Sequence, residues 1–405
     1  MHLTHLSLTN FRSYTRLDMD LPRRILLLVG DNAQGKTSLL EAIYFLATFT
    51  SFHASHDRQL INFAASEGPL AVARLVARFE SGGRERRLEA RLIQDAMGAN
   101  GSRLRKEVLL DGVKRSTAEA LGAFNAVIFL PQMTRILEGG PEDRRRYLNL
   151  ALAQVIPGYA QALTDYAQAI SQRNALLKQL AERGGDPEQL QYWDDMISQR
   201  GALLIHARIR AIIDLEGHAV RFHDQLTGGQ EVLRLTYQPA YDPAAKPSAQ
   251  YGLPIESPVD RSGFTYEEIQ AGFAQQLRQI RKEEIVRGVT TIGPHRDELR
   301  FLANGIDLSN FGSRGQVRTT LLALKLAEVA WMKEKTGEWP VLLFDEILAE
   351  LDVQRRADLL DALGECDQGL LTTTDLNLFS SEFVRQSTVW QVSAGCVVRE
   401  ERPAS

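Results

Sequence analysis

Eight residues carry the sharpest chemical signal in the chain. Gly30-Asp31-Asn32-Ala33-Gln34-Gly35-Lys36-Thr37 fits the phosphate-loop pattern G-x-x-x-x-G-K-[ST]. Its glycines let the backbone curl so that successive N–H groups face one point, where a phosphate can sit. The apolar run Ile25-Leu26-Leu27-Leu28-Val29 before it reads as a buried strand, and Ser38 to Leu46 behind it as a packed helix. That helix would add its unpaired N–H groups and the positive end of its dipole. Lys36 is spaced to reach the β- and γ-phosphates, and the Thr37 hydroxyl to ligate Mg²⁺. The candidate nucleotide-binding residues are therefore Gly30, Asp31, Asn32, Ala33, Gln34, Gly35, Lys36, Thr37 and Ser38, for ATP or GTP.

A second half of the site is expected far downstream. Val341-Leu342-Leu343-Phe344-Asp345-Glu346 is an apolar strand ending in two acids. There Asp345 would position the metal and Glu346 would act as base on the attacking water. Leu370 to Asp375 is a further strand ending in polar groups, the place for a γ-phosphate sensor. Asn125 to Leu130 is another short buried strand, followed by Pro131-Gln132. Gln132 has two readings, a ligand of Mg²⁺ or the attacking water, and a polar residue of a surface loop. Phe311-Gly312-Ser313-Arg314-Gly315-Gln316 leads into a helix and makes a second anion site. The economical reading is an ABC-type arrangement in which Ser313, Gly315 and Gln316 cap ATP held on the phosphate loop of another subunit. A plain helix cap is the alternative.

Around these motifs the chain is 405 residues long with a net charge of −4, so a nucleic-acid surface would have to be local. Its two cysteines, Cys366 and Cys396, have no metal or redox spacing and suggest a reducing compartment. The start lacks the features of a secretory signal, and no apolar run approaches the roughly 20 residues that span a bilayer. The expectation is a soluble, cytoplasmic protein without a membrane partner.

The elements that must position the site follow from periodicity. Residues 3–9 and 25–29 read as strands joined through Asn10-Phe11-Arg12-Ser13-Tyr14, and 50–58 as a solvated loop. Runs 70–80, 86–94 and 104–110, with Gly82-Gly83 and Asp111-Gly112 as turns, predict an antiparallel sheet. From 141 to 228 the pattern is helical, and Gly184-Gly185-Asp186-Pro187 breaks it into a hairpin of two long helices. Arg144-Arg145-Arg146 would spread round a helix as a solvated face in preference to a focused DNA patch, and Arg84, Arg86, Arg87, Arg103, Arg105 and Lys106 are read with the same two alternatives. Prolines mark 238–263 as a loop or linker, and Thr265-Tyr266-Glu267-Glu268 opens a helix as a capping box. The fold class expected is α/β: an ABC-type P-loop ATPase head with a mixed or parallel sheet and an antiparallel β subdomain. That head takes 1–124 and 288–405, with 125–287 as an inserted, mainly helical lobe.

The chain resembles the RecF family, bacterial DNA replication and repair ATPases related to the structural-maintenance-of-chromosomes and Rad50 proteins. The resemblance is carried by Leu8 to Tyr14, Gly30 to Tyr44, Gly139 to Arg146, Thr290 to Leu299, Phe311 to Glu328, Phe344 to Asp352 and Thr372 to Asp375. The block Gly293-Pro294-His295-Arg296-Asp297 is particularly specific. Arg314, Glu346 and Pro131-Gln132 depart from the family pattern. What the resemblance implies is an ATP-dependent homodimer that binds single-stranded and gapped or junction DNA, with slow, DNA-stimulated ATP hydrolysis releasing it. It also implies work with RecR and RecO in loading RecA, and a part in replication, recombinational repair and SOS induction. His295 and Arg296 either couple nucleotide to DNA or form a structural turn. Other P-loop readings are another SMC/Rad50-like ATPase, a transporter nucleotide-binding subunit, an ATPase-linked nuclease and a kinase.

Overall fold

The computed structural model describes residues 1–66, 70–97, 101–244 and 259–399. Of the Pro-rich stretch, Pro247, Pro254 and Pro258 lie outside the described residues. The chain separates into two compact units, Met1–Met133 with Glu328–Ser405, and Thr134–Ala327.

The first unit opens with β1 (His2–Phe11) and β2 (Tyr14–Asp20), passes through β3 (Arg24–Val29), and continues with β4 (Leu70–Ser81), β5 (Arg84–Met97), β6 (Gly101–Leu110) and β7 (Val113–Arg115). All but β3 form one antiparallel sheet in the order β2-β1-β4-β5-β6-β7. The expected sheet thus gains two strands from the N-terminus. In β2, exposed Arg16, Asp18 and Asp20 share the stretch with buried Tyr14, Leu17 and Met19, and the charges hide the alternation from a reading by hydrophobic runs.

Next come β8 (Ala126–Phe129), then β9 (Leu233–Gln238), β10 (Glu298–Ala303) and β11 (Ile306–Asp307) in the second unit. The first unit resumes with β12 (Val341–Asp345), β13 (Gln368–Thr373), β14 (Thr388–Ser393) and β15 (Cys396–Arg399). Its second sheet has the order β15-β14-β3-β13-β12-β8, parallel throughout except for the edge strand β15. β8, β12 and β13 are buried along their length and β3 from Leu26 to Val29, as central strands of a parallel sheet are, and β3, β8 and β12 read as apolar runs. Helix α1 (Lys36–Thr48) packs against β8, β12 and β13 of this sheet and against β4 and β5 of the other. Leu39, Leu40, Ile43, Phe45 and Leu46 point round the helix and are all buried, which a helix between two layers requires.

The second unit is built on α2 (Pro141–Val155), α3 (Tyr159–Arg183), α4 (Gln191–Thr227), α5 (Tyr266–Arg287) and the start of α6 (Arg314–Thr336). The expected hairpin break falls between α3 and α4, with Asp186 capping the turn through Glu188 N. Fully buried Arg173 joins three helices: it donates to Asp194 Oδ1 at 2.8 Å, to Glu284 Oε2 at 2.6 Å and to Thr290 Oγ1 at 2.9 Å. The division of the chain differs from the expected 1–124, 125–287 and 288–405. β8 stays with the first unit because it pairs with β12, and β10 belongs to the second because it pairs with β9 from Glu298 to Ala303.

The arginine triplet is a correction. Arg144 is buried, not solvated, and its guanidinium makes a bidentate pair with Glu298 at 2.6 and 2.8 Å, while Arg145 donates to Asp297 O at 2.9 Å. One face of α2 is turned to β10, so adjacent arginines cannot all reach water. Lys106 is also no solvated residue: it donates to Phe49 O at 2.7 Å and pairs with Asp57 at 2.9 Å.

Asp297 is the knot of the second unit. It accepts from Arg208 Nη1 at 2.6 Å, from Ala240 N at 2.9 Å and from the Tyr237 hydroxyl. His295 Nδ1 meets the Tyr166 hydroxyl at 2.7 Å, and burial pushes its imidazole pKa down to about 4. The structural-turn reading of this block accounts for these contacts. The neutral ring is favoured in the fold, so its contribution is present above the ordinary pKa near 6.5 and lost as pH falls through 4. We expect the urea midpoint of the protein to drop between pH 6.5 and 4. His295→Gln should flatten that slope by about one proton, as read from unfolding curves across the interval.

Candidate functional site

The parallel sheet sets the site before any side chain is considered. β13 lies between β3 and β12, with Thr372 opposite Leu28 on one side and Asp345 on the other. The carboxyl ends of the three strands are therefore level, and the loop after β3 faces the acids after β12. Ligands of open α/β sheets bind at such an edge.

The loop Gly30–Gly35 is held from three directions. Gly30 passes so close to β14 that a Cβ there would sit 2.2 Å from Val392 O. Gly35 has φ of 112°, and the Tyr14 hydroxyl donates to its carbonyl at 3.1 Å. Gln34 is latched by the β14–β15 turn, accepting from Ala394 N on its side chain at 2.6 Å and from Gly395 N on its carbonyl at 3.0 Å. No side chain caps α1, whose first-turn N–H groups face the loop's concavity.

Lys36 is nearly fully buried, and its ammonium donates to Gly30 O at 2.6 Å and to Asp31 O at 3.0 Å, with Glu346 Oε1 at 3.2 Å. Beside it, the Thr37 hydroxyl donates to Asp345 Oδ1 at 2.9 Å, and Thr372 Oγ1 to the same oxygen at 2.8 Å. The Thr372 hydroxyl also accepts from Glu346 N at 3.0 Å, which fixes Glu346 in a left-handed conformation with φ of 51°. Burial pushes the Asp345 pKa up and the Glu346 charge adds to the rise, while the two threonine hydrogen bonds oppose it. A desolvated carboxylate beside a hydroxyl is a hard-oxygen pair suited to Mg²⁺, which takes one or two carboxylates and completes its shell with phosphate and water. Among the described residues no group of three or more His, Cys, Asp or Glu could by itself hold a metal ion.

Sequence reasoning missed the outer wall of the site. Arg12 makes a bidentate pair with buried Glu41 of α1 at 2.7 and 2.8 Å, and the hydroxyl of buried Ser51 donates to the same carboxylate. The segment 50–58 is therefore not wholly solvated. Arg12, Ser13, Thr37, Ser38, His53 and Phe63 line a cleft of about 420 Å³ that runs on from the phosphate loop. The available signal was Glu41, an acid on an otherwise apolar helix five residues after Lys36.

In the second unit Ser313 is the N-cap of α6. Its Oγ accepts from Gln316 N at 3.2 Å, and Gln316 Oε1 accepts from Ser313 N at 3.0 Å, a reciprocal capping box. Ser313, Arg314 and Gly315 are exposed. Gln132 is exposed on the short turn Pro131–Thr134 after β8, and hydrogen-bonds to neither Thr37 nor Asp345.

Comparison with known proteins fits this geometry. The model of the RecF/RecN/SMC N-terminal domain matches residues 2–396. The chain is 34% identical to the DNA replication and repair protein RecF of an Exiguobacterium strain, over 99% of this chain and 100% of that one. It is 38% identical to the protein of the same name from Chloroflexus aurantiacus, over 98% and 99%. The chain belongs to the RecF family. Solved structures described as the recombination mediator protein RecF with ATP, and with ATPrS, in the RecFOR pathway superpose with a TM-score of 0.81. They share 28% identity and cover 99% of this chain and 98% of theirs. The α/β, ABC-type head is shown with them, and full-length similarity to RecF sequences decides against the transporter, nuclease and kinase readings. Among the described residues no helix is long and apolar enough to cross a membrane.

The latch of this RecF-family loop can be tested. Gly395 has φ of 72°, and a Cβ there would lie 2.9 Å from Ser13 O, whereas Gly83, with φ of 71°, has open space. Both Gly395→Val and Gly83→Val carry the left-handed backbone penalty. Only Gly395→Val should loosen the loop, weakening binding of a fluorescent ATP analogue by roughly 10-fold, about 1.4 kcal/mol.

Proposed function

We propose that this chain is an ATP-gated, DNA-binding ATPase that works as a homodimer in replication and recombinational repair. The carrying observation is the pairing of Thr37 with Asp345 and of Lys36 with Glu346 across the ends of β3 and β12. Names and ATP-bound structures within the family support ATP as the nucleotide. The loop Gly30–Thr37 with Ser38 binds the phosphates through backbone N–H groups. As phosphate oxygens arrive, Lys36 exchanges Glu346 and the loop carbonyls for them. Mg²⁺, when bound through Thr37 and Asp345, neutralises charge on the β- and γ-oxygens. Glu346, freed from Lys36, accepts the proton of the water that attacks the γ-phosphorus, and the bond to the β-phosphate oxygen breaks to give ADP and phosphate. Gln132 orients that water or the metal shell.

Ser313, Gly315 and Gln316 of one subunit cap the γ-phosphate held by Lys36 of the other. ATP then favours the closed dimer by touching two chains there and one in the open state. Closure clamps single-stranded or gapped DNA, and slow, DNA-stimulated hydrolysis releases it. In the cytoplasm this supports RecA loading with RecO and RecR and thereby SOS induction, the roles that go with the family.

Sedimentation with and without ATP tests the gate. Lys36→Ala should abolish ATP binding, and Ser313→Arg should bind ATP yet stay monomeric. Glu346→Gln should lower turnover by roughly 10²–10⁴-fold and accumulate the ATP dimer. A Ser313→Arg protein that dimerises normally would remove the cross-subunit role. DNA binding should be stronger with ATP and fall linearly in log affinity with log salt. Salt-independent binding would rule out a phosphate-backbone contact.

A further inference from the structure

The capping box at Ser313 has a third member that the motif does not contain. Gln316 Nε2 donates to Glu231 Oε1 at 2.8 Å, 85 residues away in sequence. An ionised carboxylate only accepts hydrogen bonds, so it dictates which end of the Gln316 amide faces it. The NH₂ must turn to Glu231, and the carbonyl is thereby left for Ser313 N. Gln316 N in turn donates to Ser313 Oγ, so an acceptor site of the hydroxyl is filled and its hydrogen is left to point elsewhere.

We propose that Glu231 is a positioning residue for the Ser313 loop. Its carboxylate locks the Gln316 amide so that the Ser313 hydroxyl presents its hydrogen to a phosphate oxygen. The inference rests on the reading of this loop as the cross-subunit cap on ATP.

Glu231 is itself firmly placed. It follows the end of α4, where Gly228 and Gly229 turn the chain with φ of 61° and 76°. Its neighbour Val232 exchanges backbone and side-chain bonds with Asn304, at 2.9 Å from Val232 N to Asn304 Oδ1 and 3.0 Å from Asn304 N to Val232 O. The other carboxylate oxygen lies 3.6 Å from Nε2 of His223, a fully buried residue of α4. The orientation of one exposed hydroxyl is thus referred back to the end of a 37-residue helix.

The test compares Glu231→Ala, Glu231→Gln, Gln316→Glu and the double variant Gln316→Glu with Glu231→Gln, beside Ser313→Arg. Sedimentation with a nonhydrolysable ATP analogue reads dimerisation, and a fluorescent analogue reads nucleotide affinity of the monomer. Glu231→Ala should weaken dimerisation roughly 5- to 10-fold, the scale of a lost helix cap, with monomer affinity unchanged. Glu231→Gln keeps an acceptor oxygen and should stay within about twofold. Gln316→Glu sets two carboxylates together and should impair dimerisation, and adding Glu231→Gln should restore it, a coupling that general loss of stability cannot mimic. If Ser313→Arg blocks dimerisation while Glu231→Ala is normal, or the double variant is no better than Gln316→Glu, the positioning role is overturned and the cross-subunit reading stands. If Ser313→Arg dimerises normally, both fall.

Discussion

One ammonium group imposes the arrangement on which the rest of the first unit depends. Lys36 is buried with three hydrogens to place, and it places them on Gly30 O, Asp31 O and Glu346. A buried cation without acceptors would cost several kcal/mol, so the loop must curl back on its own lysine and the strand β12 must end level with it. The parallel sheet supplies that level edge, and Thr372 on the intervening strand ties both acids to it through its hydroxyl. The same three acceptors are weaker partners than a triphosphate would be. The resting geometry is thus organised to be exchanged.

Thr372 also shows what a sequence reading can and cannot see. The loop, its flanking strand and helix, the acidic strand end and the helix hairpin are local patterns, and each stood at its expected place because spacing alone defines it. The polar end of β13 was legible, but as a sensor for phosphate; its task of joining Asp345 to Glu346 depends on strand order, which no local pattern encodes. Arg12 with Glu41 and Arg144 with Glu298 are hidden for the same reason. Their charges look solvated until partners 29 and 154 residues away are brought to them. β2 was lost in a run of charges, although from Arg16 to Asp20 exposed and buried positions alternate.

The second unit repeats this lesson with polar knots in place of a phosphate loop. Arg173 and Asp297 are both buried, and each collects partners from three or more segments. Removing one member would strand the rest, a penalty of about 3–5 kcal/mol for a buried ion pair. The Gly-Pro-His-Arg-Asp block is specific in sequence because its glycine, histidine and aspartate meet Tyr166, Tyr237 and Arg208 in one core.

The strand order of the parallel sheet has a consequence for synthesis. β3 and the phosphate loop emerge from the ribosome early, yet their sheet neighbours β13 and β14 begin at Gln368 and Thr388. At roughly 5–20 residues per second of translation, Leu26 to Val29 wait on the order of tens of seconds with both edges bare. The whole second unit is made in that interval. A nascent chain of this protein therefore carries a sticky, unpaired strand for most of its birth, and the cell's holding chaperones have a defined segment to cover.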